Sequence, residues 1–340
     1  MTRLLIISTL FLLWACEDET PEVEAVRLPG LMEVPEGFPV VPESEGNAFT
    51  MDRWELGKQL FFDPVMSVDS SISCASCHEP TLAFSDNKAV SIGVEGRAGR
   101  RNSPSLANIA YHPYFTREGG VPTLEMQVLI PIQEHDEFDF NILLIADRLT
   151  ADPQYVAMAE KAYDRVPDPY VITRALACFE RSLLSGWSPY DQYVNDETTN
   201  SLSPAALRGM ELFLSDRTQC SSCHSGFNFT DYSFTNNGLY EEYADPGRFR
   251  LTAEESDRAV FKVPSLRNVA ITAPYMHDGS LSTLAAVVAH YNTGGYAHPN
   301  KAERIQPLGL TMEEQQDLVA FLESLTDPLF IENPLFQKGE

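Results

Sequence analysis

Two copies of Cys-x-x-Cys-His, at Cys74-Ala75-Ser76-Cys77-His78 and Cys220-Ser221-Ser222-Cys223-His224, constrain this chain more than any other feature. Two cysteines at that spacing, followed at once by histidine, form the attachment site of a c-type haem. The thiols make thioethers to the porphyrin, and the histidine lies close enough to become the proximal iron ligand. A lone Cys-x-x-Cys also reads as a zinc half-site or a redox pair. The added histidine, present both times, argues for two covalently bound haems c. Function then depends on what faces the far side of each iron.

The flanking sequence repeats as well. Gly57-x-x-Leu60-Phe61 precedes the first motif and Gly209-x-x-Leu212-Phe213 the second. Pro104-Ser105-Leu106-x-Asn108, Pro113-Tyr114 and Thr123-Leu124 follow the first; Pro264-Ser265-Leu266-x-Asn268, Pro274-Tyr275 and Thr283-Leu284 follow the second. Ordered self-similarity of this kind is the mark of a duplicated unit. It predicts an N-terminal haem domain over 48–198 and a C-terminal one over 202–330. The linker is expected near Ser188 to Ser201, where Pro, Asp, Asn and Thr cluster.

The expected fold class is mainly α: two cytochrome-c-like haem domains arranged as a duplicated module. Ser203-Pro204 forms an N-cap and first-turn pair for a helix through Leu214. Thr311 and Glu314 make a capping box, and Leu318, Phe321, Leu322 and Leu325 give the helix that follows an apolar, core-facing stripe.

The N-terminus fits a chain exported across a membrane. Arg3 precedes an apolar run, Leu4 to Trp14, that is too short for a permanent span. This predicts a signal peptide over 1–15. Leu13-Trp14-Ala15-Cys16 resembles a bacterial lipobox, so Cys16 is the expected lipidated first residue, with a lipid anchor as the only membrane attachment. The alternative is an ordinary signal peptide with a stray cysteine. Both place the protein on the periplasmic or cell-surface side of a bacterial membrane. Residues 16–47, rich in Glu, Pro and Val, suit an acidic tether. Of six cysteines, one is then the lipid site and four hold haem. Cys178 remains, in the apolar helical stretch Val171 to Leu184, as a buried free thiol. The net charge of −25 excludes a nucleic-acid partner and suits either solubility or the docking of a basic redox protein.

The repeat exposes an asymmetry. Eight residues on from Thr283 lies Tyr291, and eight on from Thr123 lies Pro131. Tyrosine can ligate ferric iron and proline cannot. The second haem is thus expected to be closed and the first open. His290 competes with Tyr291; neighbours on a helix point about 100° apart, so only one of them can reach the iron.

Taken together with Ser91-Ile92-Gly93, Arg101-Asn102-Ser103-Pro104, Gln127, Pro131, Glu137 and Thr272-Ala273-Pro274-Tyr275-Met276-His277-Asp278-Gly279, nearly the whole mature chain resembles the bacterial dihaem cytochrome c peroxidases and their MauG-like relatives. The resemblance implies a peroxide site at the N-terminal haem, an electron-transfer role for the C-terminal haem, and a calcium ion between them. His78 and His224 match the proximal ligands. Glu137 matches the distal acid–base glutamate, with Gln127 and Pro131 its neighbours. Asn102, Thr272 and Pro274 match calcium-binding positions, the last two through backbone carbonyls. His277 matches a supporting position near the second haem. Tyr291 falls where peroxidases place methionine and MauG-like proteins tyrosine. A homodimer is also implied.

Two positions depart from the family pattern. Val94 stands where many of these peroxidases carry a histidine that blocks the first haem until the second is reduced. Arg117, in Phe115-Thr116-Arg117-Glu118-Gly119-Gly120, stands where the family places a tryptophan between the haems. Trp54 and Trp187 lie elsewhere, and Tyr114 or Phe115 would have to carry an aromatic electron route.

Three functions remain open. One is a hydrogen-peroxide reductase supplied with electrons by a small c-type cytochrome or cupredoxin. Another is a MauG-like oxidase that modifies a partner protein. The last is a non-catalytic dihaem electron carrier. Composition alone makes Glu137 a solvated member of the acidic run Glu134-His135-Asp136-Glu137; only its register with Gln127 and Pro131 argues otherwise. His135 reads as exposed and His112 as a loop residue.

Overall fold

The computed structural model describes residues 28–196 and 200–339, so the signal segment and Cys16 lie outside the described residues. Mainly helical structure is built around two apolar cores. Helix α1 (Met51–Phe62) starts where the Thr50 hydroxyl accepts from the Arg53 N–H, and it buries Trp54, Leu56, Leu60 and Phe61. That face lies on α6 (Pro169–Arg181), whose start is capped by Asp168. Gly57 permits the crossing: a Cβ there would run into the carbonyl oxygen of Ala175.

The second core uses the same device. Helix α8 (Pro204–Leu214) is capped by Ser203, and α11 (Met312–Glu323) by the Thr311–Glu314 capping box, as predicted. A Cβ at Gly209 would run into the Asp317 carbonyl oxygen. Phe213 and Phe321 then meet at 5.0 Å between ring centroids. The repeated glycines are therefore close-approach positions, where two backbones press together.

Helices α3 (Leu129–Gln133), α4 (Ile142–Thr150) and α5 (Pro153–Tyr163) cover the first core. Helix α2 (Leu124–Gln127) buries Leu124 in a smaller cluster with Ile109, Phe115, Val121 and Ala177, α9 (Phe249–Thr252) is a single turn, and α10 (Leu284–Thr293) covers the second core. Strands are reduced to β1 (Phe234–Thr235) and β2 (Phe261–Lys262), an antiparallel pair. Asn108 and Asn268, the repeated asparagines, both sit at φ 59° and open short 3₁₀ turns. Asparagine tolerates that left-handed conformation better than most side chains.

Three expectations change. The predicted linker contains a helix, α7 (Pro189–Asn195), because Ser188 caps it and buried Asp191 pairs with Arg267 at 2.7 and 2.6 Å. The tether reading fails for residues 38–47. Phe38 stacks edge-on against Phe227, and the Asn47 amide, only 3 % exposed, donates to Glu125 and to the Arg174 carbonyl. The C-terminal segment crosses over. Phe330, on α12 (Pro328–Ile331), and Phe336 pack onto Phe84 in the first core at 5.8 and 6.3 Å.

Candidate functional site

Each Cys-x-x-Cys-His forms a tight 3₁₀ turn that presents its histidine inward. In the first, Cys77 and His78 both donate backbone N–H groups to the Cys74 carbonyl, at 3.2 and 3.0 Å. His78 Nδ1 lies 2.8 Å from the Phe84 carbonyl. A carbonyl only accepts, so Nδ1 carries the proton and Nε2 keeps its lone pair for a metal. His224 repeats the arrangement with the Phe229 carbonyl at 3.1 Å. Burial lowers both imidazole pKa values and keeps the rings neutral. All four motif cysteines are free. Two thiols beside an imidazole oriented in this way are the donor set of haem c, and the residues fit the group.

Glu137 lies in the loop after α3. Its carbonyl accepts from the Val94 N–H at 3.0 Å, and the next residue, Phe138, donates to the Pro131 carbonyl at 3.1 Å. Gly93 lets this happen, since a Cβ there would meet the Asp136 carbonyl. Burial, then the charges of Glu134 and Asp136, push the Glu137 carboxyl up to about 7. Burial raises the pKa values of Cys74 and Cys77, with the charge of Glu137 a lesser contribution to both. Glu137 is not a solvated surface group. Its neighbour His135 is: the side chain is 68 % exposed and bonds Arg97. Half-buried Gln127 ends α2, one helical turn before Pro131. Proline lacks the N–H that would bond back to Gln127, so the hydrogen-bond ladder is interrupted while Val128 keeps helical backbone angles.

In the second half no such interruption occurs. Thr283 caps α10 as Thr123 caps α2, so the eight-residue count from each threonine compares like with like. Burial pushes the Tyr291 phenol up to about 12, against a lowering contribution from the Asn237 side chain and with smaller raising contributions from Cys220 and Cys223. His290 turns elsewhere, with Nε2 3.1 Å from the Asn237 carbonyl. Asn237 thus separates the two candidates. It sits in Asn236-Asn237-Gly238, where only a turn was legible. His277 stacks on Phe261 at 4.4 Å, and its carbonyl accepts from the Asn102 N–H at 2.9 Å.

The calcium assignment does not fit. Both oxygens of Asn102 accept from the Arg117 guanidinium, the carbonyl at 3.1 and 2.6 Å and Oδ1 at 3.0 Å. Among the described residues no helix is long and apolar enough to cross a membrane.

Residues 51–199 match the di-haem cytochrome c peroxidase family. The methylamine utilization protein MauG of Methylorubrum extorquens is 37 % identical over 289 residues, 84 % of this chain and 81 % of that protein. The chain belongs to the di-haem cytochrome c peroxidase family. Cytochrome-c peroxidase IdrP1 of Denitromonas iodatirespirans is 35 % identical, over 87 % of this chain and 88 % of its own. The crystal structure of a MauG-like protein associated with microbial copper homeostasis superposes with a TM-score of 0.85 at 32 % identity, covering 90 % of this chain and 98 % of that one. As a member of this family the protein is an oxidoreductase of the cytochrome-c peroxidase type with two c-type haems, which sets aside the non-catalytic carrier.

Proposed function

We propose that this di-haem peroxidase reduces hydrogen peroxide to water at the first haem site, with electrons entering through the second from a small c-type cytochrome or cupredoxin. Glu137 carries the reading: a buried carboxyl poised near pH 7, in a loop held by Val94 on one side and Pro131 on the other. Residues 48–198 form the peroxidatic domain and 202–330 the electron-transfer domain, two copies of one module. His78 and His224 would hold the two irons through Nε2, which their Nδ1 contacts leave free, and Tyr291 would close the second site. The working location is outside the cytoplasmic membrane, with Cys16 as the lipid anchor.

Each haem, when bound, supplies a redox-active iron that exchanges single electrons. Glu137 takes a proton from one peroxide oxygen and returns it to the other as the O–O bond breaks, general acid–base work on one carboxylate. Two electrons and two further protons complete two waters. Gln127 and the Pro131 turn hold the Glu137 loop from one side, and Gly93-Val94 from the other. Val94 is fully buried and has no lone pair to offer, so the first site needs no prior reduction of the second. No step calls on calcium, because Arg117 engages both oxygens of Asn102.

Tyr291 supports a second reading, the MauG-like oxidase of a partner protein, because a phenolate ligand favours oxidised iron. Stopped-flow mixing of the diferric protein with peroxide and a pre-reduced small cytochrome c separates the two. Rapid donor oxidation, lost in Glu137→Gln, is expected for the peroxidase. A long-lived oxidised protein that leaves the donor untouched supports the oxidase instead. Absence of any reaction with peroxide overturns both.

A further inference from the structure

Arg117 enters the cleft where the two halves of the chain meet. Its own turn is tied to the second half, because the Lys262 N–H on β2 donates to the Arg117 carbonyl at 2.7 Å. Its guanidinium reaches the first half, donating from Nε and Nη2 to the Asn102 carbonyl and from Nη2 to Asn102 Oδ1. Asn102 is 6 % exposed, and one of its remaining polar groups crosses the cleft while the other stays within the first half. Its N–H goes to the His277 carbonyl at 2.9 Å and its Nδ2 to the Lys88 carbonyl at 3.0 Å. Every hydrogen-bonding group of Asn102 is therefore committed.

The charges around this junction suit a cation. Glu118, Asp245 and Asp278 all act on Arg117 as negative partners, and Arg101 opposes it. Arg101 is itself neutralised, paired with Glu118 and held in a fork by Asp245 at 2.6 and 2.9 Å. Burial, then Arg101, lowers the Arg117 guanidinium to about 10, so it stays charged at neutral pH. A calcium ion needs roughly six to eight oxygen ligands at about 2.3–2.6 Å. The Asn102 oxygens cannot point at such an ion while accepting these N–H groups, and a dication beside a guanidinium would be repelled.

We infer that the Arg117 guanidinium is the built-in cation of this cleft, standing where the resemblance places calcium and fastening Asn102 to the β2 side of the molecule. The same residue accounts for both departures at this junction: the position that usually holds a tryptophan holds the charge, and the ion is no longer required. The planar fork of arginine matters here, because it reaches two oxygens of one residue at once, which a lysine ammonium on its flexible stem does not reproduce.

The full-length protein with both haems attached tests this directly. After dialysis against EGTA, calcium content is read by mass spectrometry, melting by circular dichroism, and haem ligation by electron paramagnetic resonance of the ferric state. The wild type is expected to hold no stoichiometric calcium and to keep its melting temperature and resonance spectrum through EGTA and through added calcium chloride. Arg117→Ala is expected to melt at lower temperature and to shift the spectrum, with Arg117→Lys falling between. Stoichiometric calcium that survives dialysis overturns the inference, as does a change in the wild type on EGTA that calcium chloride reverses. An Arg117→Ala protein with wild-type melting and spectrum also overturns it. Should that variant fail to fold, the wild-type measurements decide alone.

Discussion

Two carboxyls near the first haem site are displaced from ordinary carboxylate behaviour for the same reason, burial, with different consequences. Glu137 must be ionised to accept a proton, so with its carboxyl near pH 7 the kcat/KM for peroxide is expected to rise with pH up to about 7 and level off above it. Glu137→Gln removes that limb and lowers kcat/KM by about 10²–10⁴-fold; stopped-flow assays across pH check both. Glu180 on α6 has a buried Oε2 without a hydrogen-bond partner among the described residues and is pushed up to about 8. The unfolded chain ionises this group near 4.5, so unfolding is favoured increasingly as pH climbs from there to about 8. The native state is fully protected from this effect only below that window. Glu180→Gln carries no charge at any pH, and thermal melts from pH 5 to 8 are expected to show a flatter decline than the wild type.

At the scale of helices, the repeated glycines bear directly on stability. Gly57→Ala or Gly209→Ala forces a methyl into a facing carbonyl, and overpacking of this kind costs about 1–3 kcal/mol, read as a lowered denaturation midpoint. A chain whose midpoint is unmoved would show that the helices slide apart freely. What could be read from the sequence follows the same line. The capping signals at Ser203 and Thr311 and the stripe on α11 were legible because they are local. Glu137 and Tyr291 were legible through register, since the repeat supplied a ruler with Thr123 and Thr283 as its marks. Asn237 was not, because its role is to stand between side chains on a distant helix. Nor was the target of Arg117; the helix at Pro189–Asn195 had a local signal in the Ser188–Asp191 capping box, outweighed by the Pro, Asp, Asn and Thr cluster around it.

For the molecule as a whole, the two cores are not independent beads on a string. Phe330 packs against both Phe84 and Phe336, with 5.6 Å to the latter ring, and Asp327 accepts from the N–H groups of Gly186 and Trp187 at 2.9 and 3.0 Å. Phe330→Ala is therefore expected to destabilise the first core, at the opposite end of the chain, by about 3–5 kcal/mol. Chemical denaturation followed by the Soret signals of the two haems would register it; a loss confined to the second haem would contradict the packing. The crossing also closes the chain into a loop: aromatic rings far along the sequence wall one side of Phe84, so cutting the chain before Phe330 would strip that wall from the first core while leaving every residue of its own half in place.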